Sequence, residues 1–72
     1  RWHVAAGLLA RCVNQNPRFP QAWFSLGEAY RAGGNLTEAA NAYRKQIEMV
    51  PGHSEAARSL VEVEREILRR AP

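Results

Sequence analysis

The sequence predicts an all-α chain of about four helices joined by short turns, and three observations lead there. Four stretches place apolar residues on one side of a helix. Between them stand Asn16-Pro17, Gly33-Gly34 and Pro51-Gly52, through which helices do not run. Shifting the chain by 34 residues lays much of it on itself, so two of the helices repeat the other two.

From Trp2 to Gln15, the residues Val4, Ala5, Leu8, Leu9, Cys12 and Val13 recur at helical spacing and predict the first inward stripe. Asn16-Pro17 ends that helix, because a proline disfavours helical geometry in the residue before it, and Pro20 suits the first turn of the next. The second helix, from about Pro20 to Ala32, gathers Ala22, Trp23, Leu26, Ala29 and Tyr30 on one side. Gly33-Gly34 stops it, since glycine takes the left-handed conformation of a helix end without a Cβ penalty. Asn35, with Glu38 three residues on, predicts a reciprocal capping box at the start of the third helix. That helix runs to about Met49, turns Leu36, Ala39, Ala40, Tyr43, Ile47 and Val50 inward, and closes at Pro51-Gly52. His53 or Ser54 caps a fourth, reaching about Arg70, with Ala57, Leu60, Val61, Ile67 and Leu68 as its apolar side.

The shift sets Trp2 on Leu36, Ala5 on Ala39, Leu9 on Tyr43, Cys12 on Gln46, Val13 on Ile47 and Pro17 on Pro51. The first helix therefore repeats the third. It also sets Trp23 on Ala57, Leu26 on Leu60, Gly27 on Val61 and Tyr30 on Glu64, a weaker match in which the fourth helix repeats the second.

Within the central unit, Trp23, Leu26-Gly27, Tyr30, Ala39, Tyr43 and Pro51 stand in the order W-x-x-L-G-x-x-Y, A-x-x-x-F, P, with Tyr43 in the aromatic slot. In this the chain resembles the tetratricopeptide repeat family over nearly its whole length. The resemblance implies an α-solenoid fragment: residues 1–19 as the second helix of a preceding repeat with its linker, 20–53 as a complete repeat, and 54–72 as a C-terminal capping helix, together one structural domain. Small Gly27 and Ala39 let the two helices of a repeat approach, while Trp23, Leu26, Tyr30 and Tyr43 fill the space around the crossing. Three positions depart from the family pattern. Gln46 stands where a small Ala is usual, so the neighbouring contact must accommodate a longer polar side chain. Val61 and Glu64 replace Gly and an aromatic, which argues against a companion helix packing closely beyond Pro72. The charges along the last helix suit the polar outer side that a terminal repeat needs.

Composition fits an ordinary soluble chain: 72 residues, 46% hydrophobic and 24% charged, near the size where one core only just outweighs lost conformational entropy. No apolar run approaches the roughly 20 residues of a membrane span. The chain begins with Arg1 and shows no leader pattern, so it reads as cut from something longer. Ten basic residues, nine of them Arg, face seven acids, all Glu, for a net charge of +3. The signs mostly alternate, and no aromatic stacking platform accompanies the arginines, so nucleic-acid binding ranks low. Cys12 alone cannot form an internal disulfide, which leaves the compartment open and leaning to the cytoplasm.

The resemblance places partners on the concave wall formed by the first helix of each repeat. Those residues are Gln21, Phe24, Glu28 and Arg31, then Glu55, Arg58, Glu62 and Arg65. Independently of the family, Phe24 lies off the stripe of Trp23, Leu26 and Tyr30, either as a contact for a partner or packed against a neighbouring repeat. Glu28 with Arg31, Arg58 with Glu62 and Glu62 with Arg65 are spaced as ion pairs within a helix, ordinarily a solvated face. Arg31, Arg58 and Arg65 could instead grip carboxylates of a peptide. The positions at which some family members clamp an acidic chaperone terminus hold Ser25, Glu55 and Ser59, so that role is not expected. His3 and His53 lie far apart and the chain has no Asp, so no metal site, cofactor or catalytic constellation is expected. Asn35-Leu36-Thr37 matches a glycosylation acceptor, but helix capping accounts for Asn35. The expected function is a scaffold or adaptor that binds a protein or peptide. The alternative is a non-catalytic, substrate-positioning region of a larger enzyme such as a transferase. Self-association or packing on neighbouring repeats is also expected, because about two repeats fall short of the three usually needed for stability.

Overall fold

The chain forms four helices, α1 (Trp2–Gln15), α2 (Ala22–Ala32), α3 (Leu36–Met49) and α4 (Ser54–Arg70). The computed structural model describes residues 1–16, 18 and 21–71, and no strand occurs among them. Pro17, Pro20 and Pro72, which carry the expected helix stop, helix start and chain end, lie outside the described residues. Each helix packs on the one before it. The molecule measures 37 × 29 × 15 Å. Two packed helices span about 13–15 Å between their outer Cα surfaces, so the thin dimension is two helices deep. Helices α1 and α3 form one layer, and α2 and α4 the other.

Helix α2 ends where expected, but its two glycines divide the work. Gly34 is left-handed, with φ 81°, and this lets Asn35 N–H reach Tyr30 O at 2.9 Å and Gly34 N–H reach Arg31 O at 3.0 Å. Gly33 instead keeps a right-handed conformation, with φ −87°. It is needed for space: a Cβ there would stand 2.1 Å from the Trp2 indole. The same turn explains why the expected capping box does not form. Asn35 occupies the N-cap of α3 without a side-chain bond, and its backbone N–H, which Glu38 would have bonded, already donates to Tyr30.

The inward side of α1 differs from the expected stripe. Ala6 and Val13 are buried, with Trp2, Leu9 and Cys12 packed around them, whereas Val4 and Leu8 are 50% and 60% exposed. Apolar residues cover two rows of this helix, and the row that faces α2 is the one with Trp2, whose indole lies against Gly33. Helix α4 shows the same rotation. Ala56 and Val63 are buried and Leu60 and Ile67 pack against the cluster that holds Val63, while Ala57 is exposed and Val61 and Leu68 are 50% and 76% exposed. On α3, Val50 also lies outside, and Ala42 and Gln46 join the interior.

Two clusters make up the core. Ala6, Val13, Ala22, Leu26, Ala29 and Ala42 tie α1, α2 and α3 together, and Ala39, Ala40, Tyr43 and Val63 tie α3 to α4. Alanines dominate, which lets the helices approach closely. Gly27 does the task expected of it, since a Cβ there would lie 2.6 Å from the Tyr43 ring.

Candidate functional site

Helices α2 and α4 lie side by side on α3, and two contacts span them. Arg31 Nη2 donates to Glu62 Oε1 at 2.9 Å, and the Phe24 ring meets the ring of His53, the N-cap of α4, edge-on at 5.0 Å. The sequence-predicted positions therefore divide into a connected group and a flanking group. Phe24, Glu28 and Arg31 gather around Tyr43 and Glu62 joins them through Arg31; Gln21, Glu55, Arg58 and Arg65 flank them, exposed as Glu28 and Glu62 also are.

Phe24 leaves the stripe of Trp23 and Leu26, but its ring is half-buried on Tyr43 and His53. Most of this aromatic is packed. Its backbone N–H donates to Gln46 Oε1 at 3.2 Å. This is one of the free amides in the first turn of α2, whose N-cap residue, Gln21, makes no side-chain bond and holds a left-handed backbone with φ 67°. Gln46 is fully buried, so the departure from the family's small residue supplies a cap from another helix.

The ion pairs expected within helices are replaced by contacts between them. Glu28 accepts a short hydrogen bond from the Tyr43 hydroxyl, and Glu62 pairs with Arg31, not with Arg58 or Arg65. The fold brings those partners closer than any helical neighbour. Burial pushes the Tyr43 hydroxyl up to about 12, Glu28 adds to the rise and Arg31 opposes it. Glu62 raises Arg31 above its ordinary value, against a smaller pull from burial. Both partners of the Arg31–Glu62 bridge are more than a third exposed, so it is worth under about 1 kcal/mol. Its larger effect is electrostatic. Glu62 is engaged by Arg31, and among the described residues Arg58 and Arg65, about one turn to either side of it on α4, have no ion pair.

Sequence reasoning missed His53 and Gln46 as supports of this face, because contacts across 22 or more residues leave no mark in local spacing. It also missed a cleft of about 510 Å³ on the other layer, between α1 and α3, floored by Trp23, Leu26 and Tyr30. Among the described residues no group of three His, Cys, Asp or Glu could hold a metal. None of the helices is long and apolar enough to cross a membrane.

Staggered helix pairs with a 34-residue period define a helical-repeat protein. A sequence model of the tetratricopeptide repeat matches residues 1–54, and the chain belongs to that family. It is 35% identical over 51 residues to a TPR repeat-containing protein of Pseudomonas aeruginosa, covering 71% of this chain and 49% of that protein. The chain thus spans about half the length of that relative. No solved structure matches. Repeats of this family in general bind other proteins and are not catalysts.

Proposed function

We infer that the face formed by α2 and α4 binds an extended or helical segment of a protein partner, and that the segment is acidic. The observation that carries this is the pairing of Glu62 with Arg31, which leaves Arg58 and Arg65 without an ion pair among the described residues, while Glu28, another acid of the face, is held by the Tyr43 hydroxyl. They stand seven residues apart, about 10.5 Å along the helix axis, a separation suited to two carboxylates of one peptide. Guanidinium forks bind carboxylates in two-pronged fashion. The exposed edge of Phe24 offers an apolar contact beside them.

The test is a panel of displayed peptides of graded charge, selected on the chain and measured by titration. Acidic peptides are expected to be enriched, and Arg58→Glu with Arg65→Glu to weaken them at least tenfold. Lys45→Glu, on the exposed side of α3, is expected to leave binding unchanged. Equal affinity for neutral peptides, or indifference to the double charge reversal, overturns the assignment.

A further inference from the structure

We propose that the cleft between α1 and α3 is a second binding site, one that takes an extended segment of a protein partner carrying two basic side chains at positions i and i+4. The cleft holds about 510 Å³, a volume ordinary for ligand sites. It opens on the layer opposite the face of α2 and α4 and is built from different residues.

Its floor is one side of α2. Trp23, Leu26 and Tyr30 line it; Leu26 is buried, and the two aromatic residues are partly exposed. One wall is a row of α3, made of Glu38, Asn41, Lys45 and Glu48, whose spacing keeps them on one side of the helix. All four are exposed. Helix α3 runs back along α2, since Asn35 N–H meets Tyr30 O at its start and Gln46 reaches the Phe24 amide near its end. Glu38 therefore stands at the Tyr30 end of the cleft and Glu48 at the Trp23 end. Each end sets a carboxylate near an aromatic ring, a combination that suits a cation, because the ring attracts the charge and the carboxylate balances it.

The balance of charge favours the same occupant. Arg44, which also lines the cleft, is taken by Glu64 at 2.7 Å and by Asn41 at 3.1 Å. Among the described residues Glu38, Lys45 and Glu48 have no ion pair, although Lys45 and Glu48 are spaced to form one. Two carboxylates thus stand against one ammonium, in a chain whose net charge is +3. From Glu38 to Glu48 the helix advances about 15 Å. An extended segment rises about 3.3 Å per residue and returns its side chains to one face at every second position, so basic residues at i and i+4 lie about 13 Å apart. The side chain between them comes over Leu26 and beside Lys45, where an apolar residue fits and a third base does not.

The experiment titrates the chain with short labelled peptides, read by fluorescence anisotropy. One carries lysines at i and i+4 with a leucine midway, a second has glutamine for both lysines, and a third has the lysines adjacent. The first is expected to bind saturably and the others at least tenfold more weakly. Glu38→Gln with Glu48→Gln is expected to weaken the first at least tenfold, with helicity checked by circular dichroism. Lys45→Glu is expected to tighten it several-fold, a gain that misfolding cannot imitate. Arg58→Gln with Arg65→Gln is expected to leave it unchanged, which separates this site from the face for acidic segments. No binding by the unaltered chain overturns the proposal. So does equal binding of either control peptide, indifference to the changes at Glu38 and Glu48 or at Lys45, or loss of binding when Arg58 and Arg65 are replaced.

Discussion

At the scale of single residues, Tyr43 shows how burial turns into a dependence on pH. Its hydroxyl donates to Glu28 while the ring is fully buried, and both conditions favour the neutral phenol. The folded state holds this proton up to about 12, whereas tyrosine in an unfolded chain titrates near 10. The stabilisation is complete below about pH 10 and is lost as pH rises toward 12, amounting to about 2 kcal/mol over that window. Tyr43→Phe is expected to lower stability at pH 7 by about 1 kcal/mol and to flatten the alkaline decline, read from urea midpoints at pH 7 and through the titration window. A variant that loses stability above pH 10 as steeply as the parent contradicts this account.

Gln46 illustrates a residue whose meaning the family pattern obscures. Its Oε1 caps α2 from another helix, while Nε2 is buried without a partner, a compromise that a side chain of the same length but no amide would avoid. Gln46→Ala restores the usual family residue, yet removes a cap and leaves a void, and is expected to cost about 1–3 kcal/mol. Gln46→Met, which fills the same volume, is expected to lie within about 1 kcal/mol of the parent. Chemical denaturation of both decides it, and an Ala variant as stable as the parent would remove the capping role. The identity of Gln46 as an exception was legible in the sequence. Its partner was not, because Phe24 lies 22 residues away.

At the scale of elements, the termini and the facing of helices had different fates. The ends of α1, α3 and α4 fall where Asn16-Pro17, Pro51-Gly52 and Arg70 suggest, since a helix end depends on the dihedral preferences of a few adjacent residues. Helix α2 begins at Ala22, after a left-handed Gln21, and Pro20, on which the expected start rests, lies outside the described residues. Helix α1 faces α2 with Trp2, whose indole fills the space that a Gly33 side chain would need. One repeat later the same two positions are Leu36 and Ile67, a pair of medium side chains in place of one large and none. Gly33→Ala is therefore expected to destabilise by about 1–3 kcal/mol through overpacking, and much of that is expected to vanish in a Trp2→Ala background. A double-mutant cycle measured by thermal or urea unfolding reads the coupling. Additive effects of the two substitutions would contradict this contact.

At the scale of the whole molecule, a body two helices deep leaves much apolar surface uncovered. Exposed Val4, Leu8, Val61 and Leu68 sit at the two ends of the helix series, and anything that covers them in the folded state alone raises apparent stability by mass action. The charged face on α2 and α4 is a separate surface.

The sequence by itself determined the number of helices, the turns between them, the 34-residue period and the family, because these rest on local dihedral preferences and on spacing along the chain. Only the tertiary structure decided which apolar row of α1 and α4 turns inward, that Glu62 answers Arg31 and Glu28 answers Tyr43, and that Gln46 caps α2. A helix with two apolar rows is locally satisfied by either facing, and a carboxylate by any nearby donor. The choice is made by which side chains fit between helices, and that is settled among residues distant in sequence.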